Sequence, residues 1–410
     1  MTINDREIIR DLAKAVADEA AHPRHEARRR RWYAHNALQS GRPLIYISPE
    51  GAWIELITEE SLECVDDDAR GIERGLRSRL YATEHFADDQ VCDADYRVSP
   101  AVGNSGWGIS PTYTHTNTAR GAYVWEAPIK SRADLDRLQT PTATHDPEES
   151  ARRLEWHQEL LGDILNVYLH GRWWWAFGLI DEWTQLRGIT QTFMDMSDDP
   201  QLLHDGMRKL MEGKLAWLQS LEDQGLNSLN NGNDYVGSGA FGFSHELPQK
   251  DFDGHVRLID LWGFAEAQTM SEVSPAMHEE FVLQYQLPIL ERFGLNCYGC
   301  CEPLHRKLDM LKAQVPRLRR ASISPWADKT MSAEKLGGEI IFSWKPNPAA
   351  LAGVDFDPEW VRQDVRETIE IAKANGCRLE IVLKDTHTCQ HHPERFDEWG
   401  KIAREETEAW

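Results

Sequence analysis

From about residue 147 onward, short apolar runs alternate with amphipathic segments, and this alternation limits the fold more than any other feature of the sequence. The apolar runs have the length of strands, and the segments between them have the apolar spacing of helices. Strands that alternate with helices form parallel sheets. Six or more such units in 410 residues favour a closed (β/α)₈ barrel over an open doubly wound sheet. No glycine-rich phosphate-binding motif follows a strand, which also argues against a dinucleotide-binding fold.

Local signals place several elements. Asp199 before Pro200 and Asp357 before Pro358 predict the starts of two helices, and Ser274 predicts a third. Residues 1–36 are predicted to form one amphipathic helix, and the chain from there to residue 145 is predicted to be irregular apart from short strands. The predicted strands are residues 43–47, 164–169, 227–229, 256–260, the run around Leu295, 320–324, 339–344 and 378–383. We therefore divide the chain into an N-terminal extension with cap elements, residues 1–145, and a barrel, residues 146–410.

Charge and cysteine content exclude several classes of protein. A net charge of −22 argues against nucleic acid as a partner, and the basic run Arg28–Arg31 is interpreted as a solvated helix face or an oligomer contact. No apolar run has the length of a membrane span, and residues 1–18 lack the apolar core of a signal peptide. Seven cysteines, odd in number and clustered, do not form a disulfide framework, so we expect a reducing, cytoplasmic location.

Thiol and imidazole groups follow two predicted strands. Cys300 and Cys301 come after the run around Leu295, while His387 and Cys389 come after the strand that ends at residue 383. In a barrel these strand ends meet at one face. Sulfur and imidazole are the ligands that Zn²⁺ prefers in proteins. The sequence therefore predicts a zinc site formed by Cys300, Cys301, His387 and Cys389.

Other polar and aromatic side chains also fall at predicted strand ends, where catalysis is expected. Sixteen tryptophans suggest an aromatic-lined pocket, and His170 with Arg172 can bind a carboxylate or phosphate or can pair with acids. The predicted catalytic residues are Asp234, Tyr298 and Glu302. The predicted substrate-binding residues are His170, Arg172, Trp174, Asn231, Tyr235, Asn296 and Trp344.

The order of several segments resembles the uroporphyrinogen decarboxylase superfamily, over about residues 150–400. The resemblance is carried by residues 188–196, 198–200, 233–235, 274–281 and the loop after Leu295. The arginine-rich substrate motif of the decarboxylases is absent, so the chain is most similar to the cobalamin:thiol methyltransferase branch. That branch has an H-x-C-G motif, but here Asn296 stands at the histidine position and Tyr298 at the cysteine position, while Cys389 matches a late cysteine.

This resemblance implies a zinc-dependent methyltransferase or demethylase. Zinc would hold a substrate thiol as the thiolate, and methyl would move between a small molecule or thiol and a corrinoid carried by a partner protein. Because Asn296 and Tyr298 occupy the family's ligand positions, Cys300 or Cys301 would replace those ligands. Glu302 or His387 would complete the set of zinc ligands. The resemblance also implies a homodimer.

Three alternatives remain open from the sequence. The first is a metal-independent decarboxylase or lyase of the same fold that acts through Arg, Asp and His. The second is a carbohydrate-processing barrel with a carboxylate pair such as Asp234 and Glu302. The third is a non-enzymatic protein that binds a small methylated compound.

Overall fold

The computed structural model describes residues 1–118 and 121–410 as an α/β protein. Its strands in this part of the chain are β1 (Leu44–Ile47), β2 (Asp95–Val98), β3 (Ala101–Asn104), β4 (Thr112–His115), β5 (Tyr123–Glu126), β6 (Ala143–Asp146), β7 (Asn166–Leu169), β8 (Trp262–Ala265), β9 (Leu295–Tyr298), β10 (Leu318–Ile323), β11 (Ile341–Trp344) and β12 (Arg378–Leu383). Its α-helices there are α1 (Ile3–Ala20), α2 (Arg24–Asn36), α3 (Trp53–Leu56), α4 (Asp67–His85), α5 (Pro147–Leu161), α6 (Leu179–Arg187), α7 (Ile189–Asp198), α8 (Pro200–Asp223), α9 (Pro275–His278), α10 (Gln284–Leu290), α11 (Leu308–Gln314), α12 (Lys329–Leu336), α13 (Ala349–Ala352), α14 (Pro358–Ala374) and α15 (Glu394–Glu408).

A parallel sheet of six strands lies at the centre, in the order β1-β12-β11-β10-β9-β8. The residues of β8, β9 and β11 are all buried, as expected for a parallel sheet covered on both faces. The predicted α/β class is therefore confirmed. Strand β1 comes from the segment assigned to the N-terminal extension, yet it pairs with β12 in this sheet. The division at residue 145 stays a prediction.

The remaining strands form small pairs beside the main sheet. β2 and β7 are parallel, while β3 with β6 and β4 with β5 are antiparallel. After β7 the chain makes one isolated parallel bridge, from Arg172 to Asn227. The predicted strand at residues 227–229 is thus reduced to a single bridge.

The helix starts predicted from capping residues are confirmed. The carboxylate of Asp199 accepts a hydrogen bond from the Leu202 amide at α8, and Asp357 does the same for two amides at α14. Ser274 caps α9 in the same way. These ends are determined by hydrogen bonds within four residues of each cap, so no tertiary information was needed to find them.

Three local predictions were wrong. Residues 1–36 form two helices, because α1 ends at Ala20 and Pro23 precedes α2. Residues 256–260 do not form a strand: Leu258–Asp260 is a 3₁₀ turn that the Arg257–Asp260 ion pair closes, with 2.9 Å between Nε and Oδ2. The strand of this region is β8. Helix α4 lies in the segment predicted to be irregular, and it packs on α1.

A buried ion pair connects two strands across one face of the sheet. Arg320 on β10 and Glu380 on β12 are both nearly inaccessible to solvent, and their Nε and Oε1 atoms are 2.9 Å apart. Helix α2 supplies further partners: Asn36 Oδ1 accepts from Arg320 at 2.6 Å, and His35 Nε2 lies 3.2 Å from Glu380 Oε2. Because β11 lies between β10 and β12, these contacts connect two non-neighbouring strands and attach α2 to them.

None of the helices in the described ranges has the length and apolar character needed to cross a lipid bilayer.

Replacing Glu380 with Gln should destabilise the protein strongly, because the Arg320 guanidinium is then buried without a counter-charge. We expect a loss of about 3–5 kcal/mol in the free energy of unfolding, measured by urea titration with circular dichroism. Glu339→Gln is the matched control, because that carboxylate is exposed and pairs with Lys312 at the surface, where the expected change is below about 1 kcal/mol.

The effect of Glu380→Gln should also depend on pH. Burial raises the pKa of Glu380, but Arg320, His35 and Lys345 outweigh burial and lower it to about 2. The contribution of the carboxylate is therefore complete above the unfolded-state pKa of about 4.3, and it is lost as the pH falls towards 2. The stability difference between wild type and Glu380→Gln should shrink over that window. A difference that stays constant there contradicts the assignment.

Candidate functional site

The carboxyl ends of the six parallel strands bring several reactive side chains to one edge of the sheet. Glu266 directly follows β8, Cys300 and Cys301 follow β9, and Lys384 and Asp385 follow β12. Enzymes with parallel sheets place their catalytic groups at this edge. The edge is therefore the first place to look for chemistry.

A tight turn positions the two thiols. Gly299 has a φ of +88°, and a Cβ atom there would lie 2.4 Å from Leu304 Cδ1. Below the turn, the buried carboxylate of Glu302 accepts hydrogen bonds from the amides of Cys300, at 2.9 Å, and Ala267, at 2.8 Å. Burial raises the pKa of Glu302. One carboxylate thus holds the loops after β8 and β9 together.

The two thiols belong to a contact network, which we call the thiol cluster: Ser238, Cys300, Cys301, Lys384 and Asp385. The Cys300 and Cys301 sulfurs are 3.7 Å apart, and Ser238 Oγ lies 3.1 Å from Cys300 Sγ. Asp385 Oδ2 lies 3.8 Å from Cys301 Sγ. Lys384 Nζ lies 3.3 Å from Ser238 Oγ and 3.5 Å from Asp385 Oδ1. The cluster therefore combines two thiols with one ammonium and one carboxylate.

The electrostatics of the cluster favour a thiolate at Cys301. The Cys300 thiol can donate a hydrogen bond to Cys301, and this lowers the pKa of Cys301 despite burial and the nearby Asp385. The same interaction, together with burial, raises the pKa of Cys300. Lys384 stays charged: burial lowers its pKa, but Tyr235, Cys300, Asp385 and Glu50 outweigh burial and raise it. Of the two thiols, Cys301 is thus the one whose ionised form the surroundings favour.

Aromatic rings and a protonated acid stand beside the cluster. Tyr235 lies 6.4 Å from both Tyr46 and Trp174, measured between ring centroids, and the Trp174 indole donates to the carbonyl of Gly237 at 3.1 Å. Burial and the neighbouring Cys300 raise the pKa of Glu266 to about 9. At neutral pH this edge therefore offers a carboxylic acid as a proton donor.

A second group of predicted residues lies together near the exit of β7. His170 Nε2 and Asp234 Oδ1 are 3.1 Å apart, and Arg97 Nε lies 3.5 Å from the same oxygen. His170 and Asp234 are both buried. We call these three residues the acid–base cluster. Arg97 and Asp234 line two neighbouring cavities, each open to the surface.

The predicted zinc ligands are not assembled around one point. Cys389 is buried beside Glu55, which is not part of the thiol cluster. Its thiol lies 3.1 Å from Glu55 Oε2, and burial raises the pKa of Cys389 to about 11. His387 is exposed. In the described ranges, no three His, Cys, Asp or Glu side chains are grouped closely enough to hold a metal ion. The residues present therefore do not fit a preformed zinc site, and a zinc requirement stays a prediction.

Four other predicted residues are used within the fold. Asn296 is fully buried and donates to the carbonyls of Leu290 and Pro316. Asn231 donates to the carbonyl of Leu247 at 2.6 Å. The buried Tyr298 hydroxyl lies 2.6 Å from Gln286 Oε1 and 2.8 Å from His278 Nε2. The buried Trp344 ring packs against the Lys329 ammonium, with 4.9 Å between Nζ and the ring centroid. These placements give the four side chains structural partners, and Asn231 also lines a cavity that the acid–base cluster shares.

Several residues of these clusters were missed from the sequence. Lys384, Asp385 and Glu266 directly follow strands, so the strand-end rule that found Cys300 was sufficient to find the first two. Glu266 was not identified because the strand before it was predicted at residues 256–260, several residues earlier than β8. Arg97 and Ser238 carried no signal, because their roles depend on contacts between segments far apart in the chain.

Comparison with known proteins gives matches among solved structures. No protein-family profile matches the sequence, and no curated protein is similar to it. Among solved structures, the chain is similar to one described as a methyltransferase from Methanosarcina mazei, with a TM-score of 0.53 and 11% sequence identity. The match covers 92% of this chain and 98% of the other. At this identity the similarity establishes a shared fold.

The thiol cluster predicts an order of cysteine reactivity. At neutral pH, iodoacetamide should modify Cys301 before the other cysteines, because alkylation requires the thiolate. Cys300→Ala removes the donor to that thiolate and should slow the modification of Cys301 several-fold, as measured by peptide mass spectrometry. Cys377→Ala is the control, since the Cys377 thiol is buried and donates to Ala333 on another element. Faster modification of Cys300 than of Cys301 contradicts this assignment.

Proposed function

We propose that the protein is a methyltransferase that moves a methyl group between a small molecule and a sulfur or corrinoid acceptor. The observation that carries this proposal is the thiol cluster, in which Cys301 is favoured as a thiolate beside Lys384 at the carboxyl edge of a parallel sheet. The shared fold with a structure described as a methyltransferase supports it. Thiolates are strong nucleophiles towards methyl groups, and a nearby ammonium holds the charged form of the sulfur.

The fold proposed for this function is a closed (β/α)₈ barrel. Contacts beyond both edges of the six-stranded sheet support this proposal. Asn230 exchanges hydrogen bonds with the main-chain N–H and carbonyl of Trp262 on β8, and the bridge from Arg172 to Asn227 leads from there to β7. At the other edge, the amide of Asp89 donates to the carbonyl of Ile45 on β1. The pair of β2 and β7 lies between these two sets of contacts.

In the proposed reaction, the Cys301 thiolate attacks the methyl carbon, and the donor atom leaves with the bonding electron pair. The acceptor sulfur or reduced corrinoid then attacks the same carbon, and Cys301 leaves as the thiolate. Cys301 supplies a thiolate, and Lys384 compensates its charge. Glu266 holds a proton at neutral pH and can give it to a leaving oxygen or nitrogen. Trp174 and Tyr235 form an aromatic wall that excludes water and can contact a methylated cation. Glu302 keeps the thiol loop in position.

Methyl transfer can be tested directly with small probes. The purified protein is incubated with methylcobalamin and 2-mercaptoethanol, and the thioether is measured by mass spectrometry. In the opposite direction, reduced cobalamin is offered with tetramethylammonium, trimethylsulfonium or methoxybenzene. We expect wild type to catalyse at least one transfer, and Cys301→Ser to lose roughly tenfold or more of it, because the nucleophilic sulfur is absent. Cys377→Ser should keep the wild-type rate.

The same protein preparations show whether methyl transfer requires zinc. Elemental analysis of wild type, Cys301→Ser and Cys389→Ser measures zinc per chain. Zinc that is lost in either variant supports the zinc-dependent form of the proposal. If the protein contains no metal and still transfers methyl, the methyltransferase proposal stands and its zinc-dependent form is contradicted. Absence of transfer with every probe, or equal rates for wild type and Cys301→Ser, contradicts the role given to the thiol cluster.

A second candidate function is a metal-independent decarboxylase or lyase, which the acid–base cluster favours. Asp234 holds His170 within hydrogen-bonding distance, and Arg97 compensates the carboxylate at the wall of a cavity of about 450 Å³. This is an arrangement that can bind a carboxylate and move a proton. The carbohydrate-processing alternative has less support, because both oxygens of Glu302 already accept main-chain hydrogen bonds in the interior.

One pair of variants distinguishes the two functions. If the acid–base cluster performs the chemistry, Asp234→Asn should lower kcat about a hundredfold or more, because His170 loses the charge that holds it, while Cys301→Ser keeps its activity. If the thiol cluster performs it, the order of the two effects is reversed. The measurement is turnover of whichever methylated or carboxylated probe wild type accepts, and the melting temperature of each variant confirms that it is folded.

A further inference from the structure

A third cavity, of about 350 Å³, lies between the segment that follows β7 and helix α8. Its walls come from residues 99–104, residues 170–177 and the α8 side chains Lys214, Trp217 and Leu221. No member of the thiol cluster lines it. His170 of the acid–base cluster does line it, so the cavity is separate from the thiol cluster and adjoins the acid–base cluster.

Arg172 in this cavity has no protein partner for its charge. Its guanidinium carbon lies 5.6 Å from the ring centroid of Trp175 and 5.6 Å from that of Trp217. It makes no side-chain hydrogen bond or ion pair with any residue of the described ranges. Removal from water lowers the pKa of Arg172, and no carboxylate opposes this effect. Arg172 is exposed, so its guanidinium is accessible to a ligand that enters the cavity.

The two rings that hold Arg172 also carry unused donors. Trp175 and Trp217 are 2% and 8% exposed, and the indole N–H of each lacks a hydrogen-bond partner in the described part of the chain. Buried N–H groups are normally satisfied, so the two unpaired indole donors beside an accessible guanidinium indicate an acceptor supplied by a ligand.

The other charged groups of the cavity are already paired. Lys214 Nζ lies 3.0 Å from Glu182 Oε2, and the Trp107 indole donates to the same carboxylate at 2.6 Å. His170 is held by Asp234. The positive charge left over in the cavity therefore belongs to Arg172.

We propose that this cavity binds a small carboxylate carried on a flat apolar body, with Arg172 as its anchor. The guanidinium is planar and can donate to both oxygens of a carboxylate at once. The cation–π contacts with Trp175 and Trp217 position the guanidinium and leave its N–H groups free to donate to a ligand. Trp173, Trp175 and Phe177 provide aromatic surface for a flat ligand. This site does not depend on the proposed methyl transfer, because it is defined by binding alone.

The probe is 4-fluorobenzoate, followed by fluorine NMR and by isothermal titration calorimetry of the full chain. We expect saturable binding to wild type, and weaker binding by roughly tenfold or more for Arg172→Gln, which removes the charged donors. Arg172→Lys keeps the charge but lacks the planar pair of donors, so its affinity should fall between the two. The neutral analogue 4-fluorobenzamide should bind wild type as weakly as 4-fluorobenzoate binds Arg172→Gln.

Arg306→Gln is the matched control, because Arg306 is exposed and does not line the cavity. It should bind 4-fluorobenzoate with wild-type affinity. The proposal is overturned if wild type shows no saturable binding, if Arg172→Gln binds within about twofold of wild type, or if the benzamide binds as tightly as the benzoate. Displacement of 4-fluorobenzoate by inorganic phosphate at equal concentration overturns the preference for a carboxylate on a flat body. Arg172→Lys keeps the test valid if Arg172→Gln does not fold.

Discussion

The buried pair of Arg320 and Glu380 connects parts of the molecule that backbone hydrogen bonds alone do not join. It crosses β11 on one face of the sheet, and through Asn36 and His35 it fastens α2 to the strands. Cys297 and Lys345 face the same charges: Arg320 lies 3.6 Å from the Cys297 sulfur, and Lys345 is one of the groups that lower the pKa of Glu380. Two charges in such a place cost desolvation energy, so only a complete set of partners makes them stable. The relative positions of β9, β10 and β12, and hence of the loops that follow them, depend on this set.

Two groups of chemically capable side chains result from this arrangement. The thiol cluster combines residues from the exits of β9 and β12 with Ser238, while the acid–base cluster combines β2, the exit of β7 and the segment before Tyr235. Asp234 and Tyr235 are adjacent in sequence, and each contributes to the surroundings of a different cluster. The two proposed functions therefore use neighbouring sites. Methyl transfer requires Cys301, whereas the decarboxylase or lyase reaction requires Asp234.

The sequence was sufficient to predict features that depend on neighbouring residues or on the spacing of apolar residues. The helix starts at Asp199, Ser274 and Asp357 follow from short-range capping. The strands ending near Ile323, Trp344 and Leu383 follow from short runs of strand-forming residues between helical segments. It was insufficient where the partner is distant. Cys389 looked like a companion of Cys301, but positive φ values at Asp385, Gln390 and His391 turn the chain so that Glu55 receives its thiol. The meeting of Arg97, His170 and Asp234 likewise has no local signal, since it depends on tertiary contacts between three segments.

The role of Glu302 has a consequence for the modularity of this edge. Loops at the carboxyl ends of parallel strands can often be exchanged independently, because each is anchored by its own strand. Here the buried carboxylate of Glu302 accepts hydrogen bonds from two loops. The segment after β8 and the segment carrying Cys300 are therefore held together as one unit. Grafting either loop onto a related scaffold transfers its geometry only when the other loop and the carboxylate travel with it. Divergence within such proteins should therefore change the two loops in concert.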